Sequence, residues 1–414
     1  MKVIKGLIIL ILAVVAVFFL SFNFIYRVDS STFFKEGIKQ VYVNRGINKH
    51  DYTFIEKGME ESGREELWKD IDLGRKALKD VYLFSFDMID NTFSEEVMVV
   101  DTGIAYLGIK PKVTDYFDRR GEFYVLKEER KPRELAGADV YLKAYRGYFI
   151  AALSTDVIDR FLEAPKAKEG RLQDLDKKSK VGSFGKVLMD LKGDLLFDAM
   201  GVNGGVAGVD LKGERLTVSN ELFGGGEFMD SLKEQPEERR YEKFAGKDRL
   251  YISGNNIGGT LAIALKNMNS NELNAFNMVF GMLGVTLEDI FNQIDGEIVV
   301  DVKSNSWMIP LKDTKTIRKI FGFFGQKDRM LYGNSEVVLD GKVLRAGSME
   351  ETGDGVKVEK GTFIYGDLPM NLVDRAFGED SRGKLTGKVS ARGILLELEL
   401  NEEATRDIAY EALR

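Results

Sequence analysis

The segment Val99–Gly103, which reads Val-Val-Asp-Thr-Gly, is the arrangement in this chain that most suggests catalysis. Proteolytic enzymes that use paired aspartates present each carboxylate in such a sequence, and the two aspartates must share one proton. The matching place in the second half, Val300-Asp-Val-Lys-Ser, has no glycine, and no other Asp-Thr/Ser-Gly occurs in the chain. Because Asp, Thr and Gly also favour turns, Asp101–Gly103 is predicted to be a hairpin turn, with a hydrolase centred on Asp101 as an alternative.

The sequence contains few of the residues that histidine, cysteine or metal chemistry requires. His50 is the one histidine, in the polar stretch Asn48-Lys-His-Asp51, and it is predicted to be a surface residue. The chain has no cysteine, and no serine lies in a Gly-x-Ser-x-Gly elbow. Zinc is therefore disfavoured, whereas a carboxylate calcium site stays open although no Asp-x-Asp-x-Asp-Gly loop occurs. We predict no catalytic, cofactor-binding or metal-binding residue.

The glycine-rich segments do not match phosphate-binding loops. Gly383–Lys388 has three residues between its glycines where a P-loop has four, and Val389 follows where Ser or Thr is needed. Gly204–Gly208 and Gly224–Gly226 lack the strand–helix context of a dinucleotide site. Both are predicted to be turns.

An internal repeat gives the first indication of how the chain is organised. Glu96–Lys110 and Glu297–Lys312 each read as acid, β-branched run, polar turn, second apolar run and lysine. Each is predicted to be a strand pair followed by a short helix, Val113–Phe117 or Thr314–Phe324. Side chains alternate across a sheet, so shared apolar positions should face the core in both copies. These positions are Val97, Val99, Ile298 and Val300.

A second pair of segments follows in the same order. Gly185–Leu191 and Gly361–Leu368 are predicted to be equivalent strands, and each precedes a further helix and a hairpin. A strand also precedes each set, at Gln40–Asn44 and Leu250–Gly254. Two matched pairs in one order indicate a duplication.

The predicted fold class is α+β, with an N-terminal transmembrane helix followed by two repeated units of mostly antiparallel sheet with packed helices. The predicted domains are a membrane anchor at 1–28, a first unit at 36–226, a charged connector at 227–247 and a second unit at 248–414. The run 230–243 is dense in charge and is expected at the surface, because a core could not absorb it.

The hairpin Val140–Tyr148, turning on Arg146-Gly147, is followed by Ser154-Thr155 and a capped helix. Together with the anchor and duplication, this resembles the uncharacterised bacterial envelope proteins classified as domains of unknown function. The resemblance implies an architecture of duplicated α+β units and no particular activity. Glu163–Lys180, which comes next, is predicted to be a solvated loop.

The stretch Gly6–Tyr26 carries no charge over 21 positions. At about 1.5 Å per residue a helix of this length spans roughly 30 Å, the thickness of the hydrocarbon core of a bilayer. A cleaved signal peptide has a shorter apolar region and a small-x-small cleavage site, which Leu20–Tyr26 does not offer. We therefore expect a retained anchor. Lys2 and Lys5 precede it, so the positive-inside rule places the body on the exported side of the inner membrane.

The body is acidic. Without the basic residues Lys2, Lys5 and Arg27, 56 basic and 66 acidic residues remain. This balance argues against nucleic acid, which needs a basic stripe, and against a body lying flat on anionic lipid. The predicted partners are the membrane, through Gly6–Tyr26, and a protein or lipid ligand.

The predicted function is that of a non-catalytic, membrane-tethered bacterial envelope protein that binds a partner or a hydrophobic ligand. Lipid carriage through a groove between the halves is the first alternative, and the hydrolase centred on Asp101 is the second. The helix around Phe276–Val285 looks apolar on more than one face and is expected to be buried in the core, with a ligand groove as the other interpretation.

Overall fold

The computed structural model describes most of the chain after the predicted anchor. The described residues are 26–61, 63, 65–87, 95–131, 137–168, 170–194, 197–198, 200–233, 236, 238–260, 278, 280–332, 335–352, 356–375, 377–390 and 393–412. The predicted transmembrane helix Gly6–Tyr26, except for Tyr26 itself, lies outside them. Within these ranges no helix has both the length and the apolar character needed to cross a bilayer.

The chain divides into two compact units, Met1–Asp190 and Leu191–Arg414. Both are mixtures of helices with antiparallel strands, and the sheets dominate the fold. The fold class is thus α+β. The division falls before the hairpin 202–224, which the sequence repeat assigns to the first half. The predicted domain boundaries follow the repeat, and they stay a prediction.

The first unit is built on eight described strands that pair antiparallel in the order β8–β1–β2–β3–β7–β6–β5–β4. The strands are β1 (Gln40–Arg45), β2 (Asp80–Ser85), β3 (Glu96–Asp101), β4 (Phe117–Arg120), β5 (Phe123–Leu126), β6 (Tyr141–Tyr145), β7 (Tyr148–Ala152) and β8 (Gly185–Asp190). The predicted hairpin on Arg146-Gly147 is confirmed. Both turn residues have positive φ, at 44° and 89°, which suits the right-handed twist of the flanking strands.

Five α-helices of the first unit are described: α1 (Thr53–Glu61), α2 (Glu65–Ala77), α3 (Tyr106–Ile109), α4 (Thr155–Glu163) and α5 (Arg171–Lys178). Ser154 caps α4 by accepting a hydrogen bond from the Asp156 amide, as the sequence indicates. Helix α4 buries Val157, Ile158 and Phe161. The expectation of a solvated loop over Glu163–Lys180 is wrong in its second half, because Leu172 and Leu175 on α5 are buried.

The second unit contains eleven described strands in the order β9–β10–β19–β18–β17–β11–β12–β13–β16–β15–β14, again antiparallel. The strands are β9 (Val202–Lys212), β10 (Arg215–Gly224), β11 (Arg249–Ser253), β12 (Glu297–Asp301), β13 (Ser306–Pro310), β14 (Arg329–Tyr332), β15 (Ser335–Asp340), β16 (Val343–Ala346), β17 (Thr362–Pro369), β18 (Arg382–Ser390) and β19 (Gly393–Leu400). Strand β10 belongs to this unit because it pairs with β19 along seven residue pairs.

Four α-helices of the second unit are described: α6 (Glu227–Lys233), α7 (Leu287–Phe291), α8 (Lys315–Phe323) and α9 (Glu402–Ala412). Helix α8 buries Ile317, Ile320 and Phe321 in a cluster with Leu311 and Val337. The expectation that the charged run 230–243 lies wholly at the surface is wrong. Leu232 is buried together with Met229 on α6, and Ser231 is buried with its hydroxyl donating to the Phe228 carbonyl at 2.7 Å.

Strand order recurs between the units. The succession β8–β1–β2–β3–β7–β6–β5 has a counterpart in β17–β11–β12–β13–β16–β15–β14. The predicted equivalence of Gly185–Leu191 with Gly361–Leu368 agrees with this order, since β8 pairs with β1 and β17 pairs with β11 at the same place in the two successions. A shared order is what a duplication predicts, and the duplication itself stays a prediction.

The other predicted pair is aligned on non-equivalent strands. Glu297–Lys312 forms the strand pair β12–β13, but Glu96–Lys110 forms β3 followed by helical turns, so the predicted second strand is wrong. After Asp101 the backbone enters a turn, because the Gly103 amide donates to the Asp101 carboxylate and Gly103 has φ of 55°. Of the four predicted core residues, Val97, Val99 and Ile298 are buried and Val300 is half-buried.

Candidate functional site

Asp101, the last residue of β3, lies in a buried charge cluster. Its side chain is 1% exposed and forms an ion pair with the Arg27 guanidinium through Oδ2. Lys79 Nζ is 3.8 Å from the same oxygen, and the Gly103 amide donates to Oδ1 at 2.7 Å. The turn at Asp101–Gly103 is present but leads into a helix, so the predicted hairpin turn is wrong, and the Asp101 carboxylate also binds a cation.

Tyr148 completes this cluster from β7. Arg27 Nη2 donates to the Tyr148 hydroxyl at 3.1 Å, and the guanidinium carbon lies 4.8 Å from the centre of the tyrosine ring. The hydroxyl donates in turn to the Val28 carbonyl at 3.1 Å. Burial raises the pKa of Tyr148 to about 12, although the positive charge of Arg27 opposes this shift. Tyr148 thus stays a neutral donor at physiological pH.

This arrangement suits a structural ion pair better than a catalytic carboxylate. Proton-sharing aspartates need a second carboxyl group at about 3 Å, whereas the groups described around Asp101 are a guanidinium, an ammonium and an amide. The cluster therefore fixes residue 27 to the sheet.

The chain after Arg27 continues to pack on the first unit. Asp29 accepts a hydrogen bond from the Ser31 amide at 2.8 Å and so caps a 3₁₀ helix, Ser30–Phe33. Phe33 is 1% exposed, stacks on Phe161 and meets Tyr148 edge-on. We call residues 26–34 the first leading segment. Charge pairing and aromatic burial both attach it to the body.

A cavity of about 380 Å³ opens beside the end of this segment. It is lined by Phe34–Ile38, Ala167, Lys168, Gly170–Gln173 and Asp190. Its volume lies in the range of small-molecule sites. The cavity is mixed in character, since apolar side chains share its wall with cations and carboxylates.

Two basic side chains of the cavity are held in place. Lys35 Nζ donates to the carbonyls of Leu162 and Ala164, at 3.2 and 2.8 Å, and burial lowers the pKa of Lys35. Arg171, at the start of α5, pairs with Asp190 at 3.0 Å. Lys168 on the rim is exposed. An anionic group entering the cavity would therefore meet positive charge beside the apolar surface of Phe34 and Leu172.

The other sequence-predicted positions lie apart from this region. His50 is half-buried rather than superficial: its Nε2 is 3.0 Å from Asn44 Oδ1, its ring is 5.0 Å from that of Phe184, and burial lowers its pKa. Gly383–Lys388 lies within strand β18. Gly204–Gly208 lies within β9, so the predicted turn there is wrong; these glycines pair in register with Ser219–Phe223.

The predicted core helix Phe276–Val285 lies partly outside the described residues, and its described part is only half-buried. Met278 and Met282 are 72% and 77% exposed, whereas Val285 is buried against α8. The two methionines are one helical turn apart, so one side of this helix faces solvent. The expectation of burial on all faces is wrong for these positions.

Sequence reasoning missed Arg27, Tyr148 and the basic cavity residues. In the sequence, Arg27 indicates only a charge that flanks the predicted anchor. The signal for its partner is Asp101 itself. An acid at the end of an apolar strand is expected to be buried and therefore to need a cation. For Arg171 the available signal is the spacing of Leu172 and Leu175, which indicates a helix with one buried side.

Comparisons with known proteins add little to this description. No family model matches the chain. No curated protein matches it either. A crystal structure of TP0453, in its crystal form III, covers 48% of this chain and 81% of its own, with 11% identity and a TM-score of 0.30. Crystal form IV covers 47% and 81%, with 10% identity and a TM-score of 0.28. These scores carry no argument about the present protein.

Proposed function

We propose that this chain is a non-catalytic, membrane-tethered protein of the bacterial cell envelope that binds a ligand through its exported body. The observation that carries the proposal is the ion pair between Arg27 and Asp101. Arg27 is the first residue after the apolar stretch Gly6–Tyr26. A body attached at that residue has no free tether, so it would sit directly at the end of the membrane helix.

The cavity beside Phe34 supports a binding role. A ligand with an anionic group and a short apolar part would place its charge near Arg171 and Lys168 and its apolar part against Phe34. This ligand class is more specific than the hydrophobic ligand expected from the sequence. Lipid carriage through a groove between the halves and hydrolysis at Asp101 stay predictions.

The tether is tested by the behaviour of the full chain in cells. Protease added to spheroplasts should remove the body, and alkaline carbonate should fail to release the intact chain from membranes, whereas detergent should. The mature protein should retain residues 6–26. A mature N-terminus beyond residue 20, or release by carbonate, would refute the tether.

The cavity is tested with hexyl phosphate, a small anionic amphiphile, on the full chain in lipid nanodiscs. Ligand-observed NMR should detect binding that the charge reversals Arg171→Glu and Lys168→Glu weaken severalfold. Lys315→Glu, a charge reversal at an exposed position of the second unit, is the matched control and should leave binding unchanged. Equal binding by all variants would place the ligand elsewhere.

A further inference from the structure

The helical segment after Asp101 lies next to the point where the chain leaves the predicted membrane helix. Tyr26, the last residue of that stretch, has its ring centre 6.4 Å from the ring of Tyr106. Burial and the adjacent Tyr26 hydroxyl raise the pKa of Tyr106 well above its ordinary value. Lys110 Nζ lies 5.7 Å from the centre of the same ring. The end of the predicted anchor and Lys110 therefore converge on Tyr106.

This segment, residues 103–120, has a buried side and an exposed apolar side. Tyr106 and Val113 pack into a cluster with Leu142 and Phe149, which fixes the segment on the sheet. Ile104 and Tyr116, in contrast, are 49% and 52% exposed. Tyrosine and aliphatic residues in such positions are typical of elements that rest in the interfacial region of a bilayer.

The charge of the segment is opposite to that of the body. Residues 103–120 contain four basic residues and two acidic ones, whereas acids exceed bases in the whole chain by 66 to 59. The basic residues are Lys110, Lys112, Arg119 and Arg120, and all are exposed. The net acidity of the chain argues against flat adsorption of the entire body, but charge acts within about a Debye length, so a local basic patch governs a local contact.

We propose that residues 103–120 rest on the lipid head groups of the bilayer that holds the anchor. Ile104 and Tyr116 enter the interface, and Lys110 and Lys112 contact lipid phosphates. The inference deepens the proposed function and rests on it, since the anchor brings the segment to the membrane. The Arg27–Asp101 pair then has a purpose: it sets the orientation of the first unit relative to the bilayer.

The absence of cysteine makes a direct test practical. Ile104→Cys and Tyr116→Cys are each labelled with the fluorophore NBD in the full chain, which is reconstituted in vesicles of phosphatidylcholine and phosphatidylglycerol. Both labels should emit at shorter wavelength and be quenched by brominated lipids severalfold more than a label at Glu56→Cys, an exposed position on α1. The double reversal Lys110→Glu/Lys112→Glu should reduce quenching in anionic vesicles and change it little in neutral ones.

The same samples separate failure of the inference from failure of the tether. Vesicle flotation after a carbonate wash reports the anchor independently of the labels. Flotation with labels at 104 and 116 quenched no more than that at 56 would overturn the inference and leave the tether standing. Shielding from aqueous iodide without lipid quenching would indicate a protein on this surface, such as a second copy, and would also overturn it. Loss of flotation would refute both.

Discussion

The segments that precede β1 and β11 are fixed to the sheets of their units in chemically different ways. In the first, the segment 26–34 presents the Arg27 side chain to a buried aspartate. In the second, the buried acid meets backbone: the amides of Arg240 and Tyr241, in the segment 238–246, donate to the Glu297 carboxylate, each at 3.0 Å. The Arg239 side chain of this segment donates to the carbonyls of Val358 and Thr362. Tyr251 on β11 supplies a third donor to Glu297, at 2.8 Å.

The difference determines which residues in each segment matter. A buried carboxylate can be stabilised by a cation or by hydrogen-bond donors, and either arrangement compensates the cost of burying it. Where a side chain supplies the compensation, the identity of that residue is fixed. Where backbone amides do, the hydrogen bonds to the carboxylate do not depend on the identity of the side chains at 240 and 241. In the first unit the compensation of the buried acid therefore depends on Arg27, at the predicted membrane boundary.

The largest expected effect is that of Asp101→Asn. Removing one partner of a buried ion pair leaves the other charge uncompensated and costs about 3–5 kcal/mol. The sequence alone, which indicates only a turn, leads to the expectation of a small loss. Trp68 and Trp307 lie in different units, so unfolding of the Trp307→Phe chain in urea and non-ionic detergent, followed by fluorescence, reports the first unit.

The paired variant is the control for this prediction. Arg27→Met/Asp101→Leu removes both charges and should recover much of the stability, because apolar residues replace a buried pair at little net cost. If Asp101→Asn leaves the Trp68 transition unchanged, the ion pair does not hold the leading segment. If the double variant is no more stable than Asp101→Asn, the loss comes from packing.

A smaller loss is expected for Glu297→Gln in the second unit. The neutral amide keeps one acceptor but turns its NH₂ group toward donors, which should cost about 1.5–3 kcal/mol. Trp68→Phe isolates the signal of Trp307 for this measurement. Arg240→Ala is the matched control and should shift stability by less than about 0.5 kcal/mol, since the bond to Glu297 comes from the backbone. An equal loss in both variants would contradict the comparison.

How far the sequence predicts this fold depends on the range of the interaction involved. The Arg146-Gly147 hairpin and the Ser154 cap are local, and their residues specify them by backbone preference and by one short hydrogen bond. The path after Asp101 is different. A polar turn suits a hairpin or a helix start equally well, and only packing of Tyr106 and Val113 on the sheet favours the helix.

The candidate site is harder to predict from the sequence than the fold is. The Arg27–Asp101 pair joins residues 74 positions apart, and no local pattern specifies such a contact. The residues Asp101-Thr-Gly fit both a functional carboxylate and a turn. Only the group that the Asp101 carboxylate contacts in the fold distinguishes these two interpretations. The cavity likewise depends on the juxtaposition of residues 34–38 with residues 167, 168 and 170–173, and neither stretch indicates a cavity by itself.

The stability of the first unit should depend on pH in the alkaline range through the ionisation of Tyr148. Burial raises its pKa to about 12, above the ordinary value of about 10, so the folded state holds the proton more tightly. Its contribution is therefore complete below pH 10 and is lost as the pH rises from about 10 to about 12, by about 2 kcal/mol. Tyr148→Phe should lower stability at neutral pH but flatten this slope in the Trp68 signal. An unchanged slope would show that Tyr148 does not govern it.

The smallest expected effect uses two glycines in corresponding hairpins. Gly147 joins β6 to β7, Gly341 joins β15 to β16, and both have positive φ, at 89° and 60°. Alanine at either position should cost about 1–2 kcal/mol of backbone strain. A Cβ at Gly147 would in addition lie 3.0 Å from Arg27 Cγ, whereas one at Gly341 would meet nothing within 4 Å. The loss of stability caused by Gly147→Ala should therefore exceed that caused by Gly341→Ala by roughly 1 kcal/mol.

Because the two φ values differ, the decisive measurement is a double-mutant cycle with Arg27→Ala. This substitution removes Cγ and should abolish the additional loss at position 147 alone. A coupling energy of zero would mean that the turn does not contact the leading segment, and the contrast between the two units would then rest on the buried acids only.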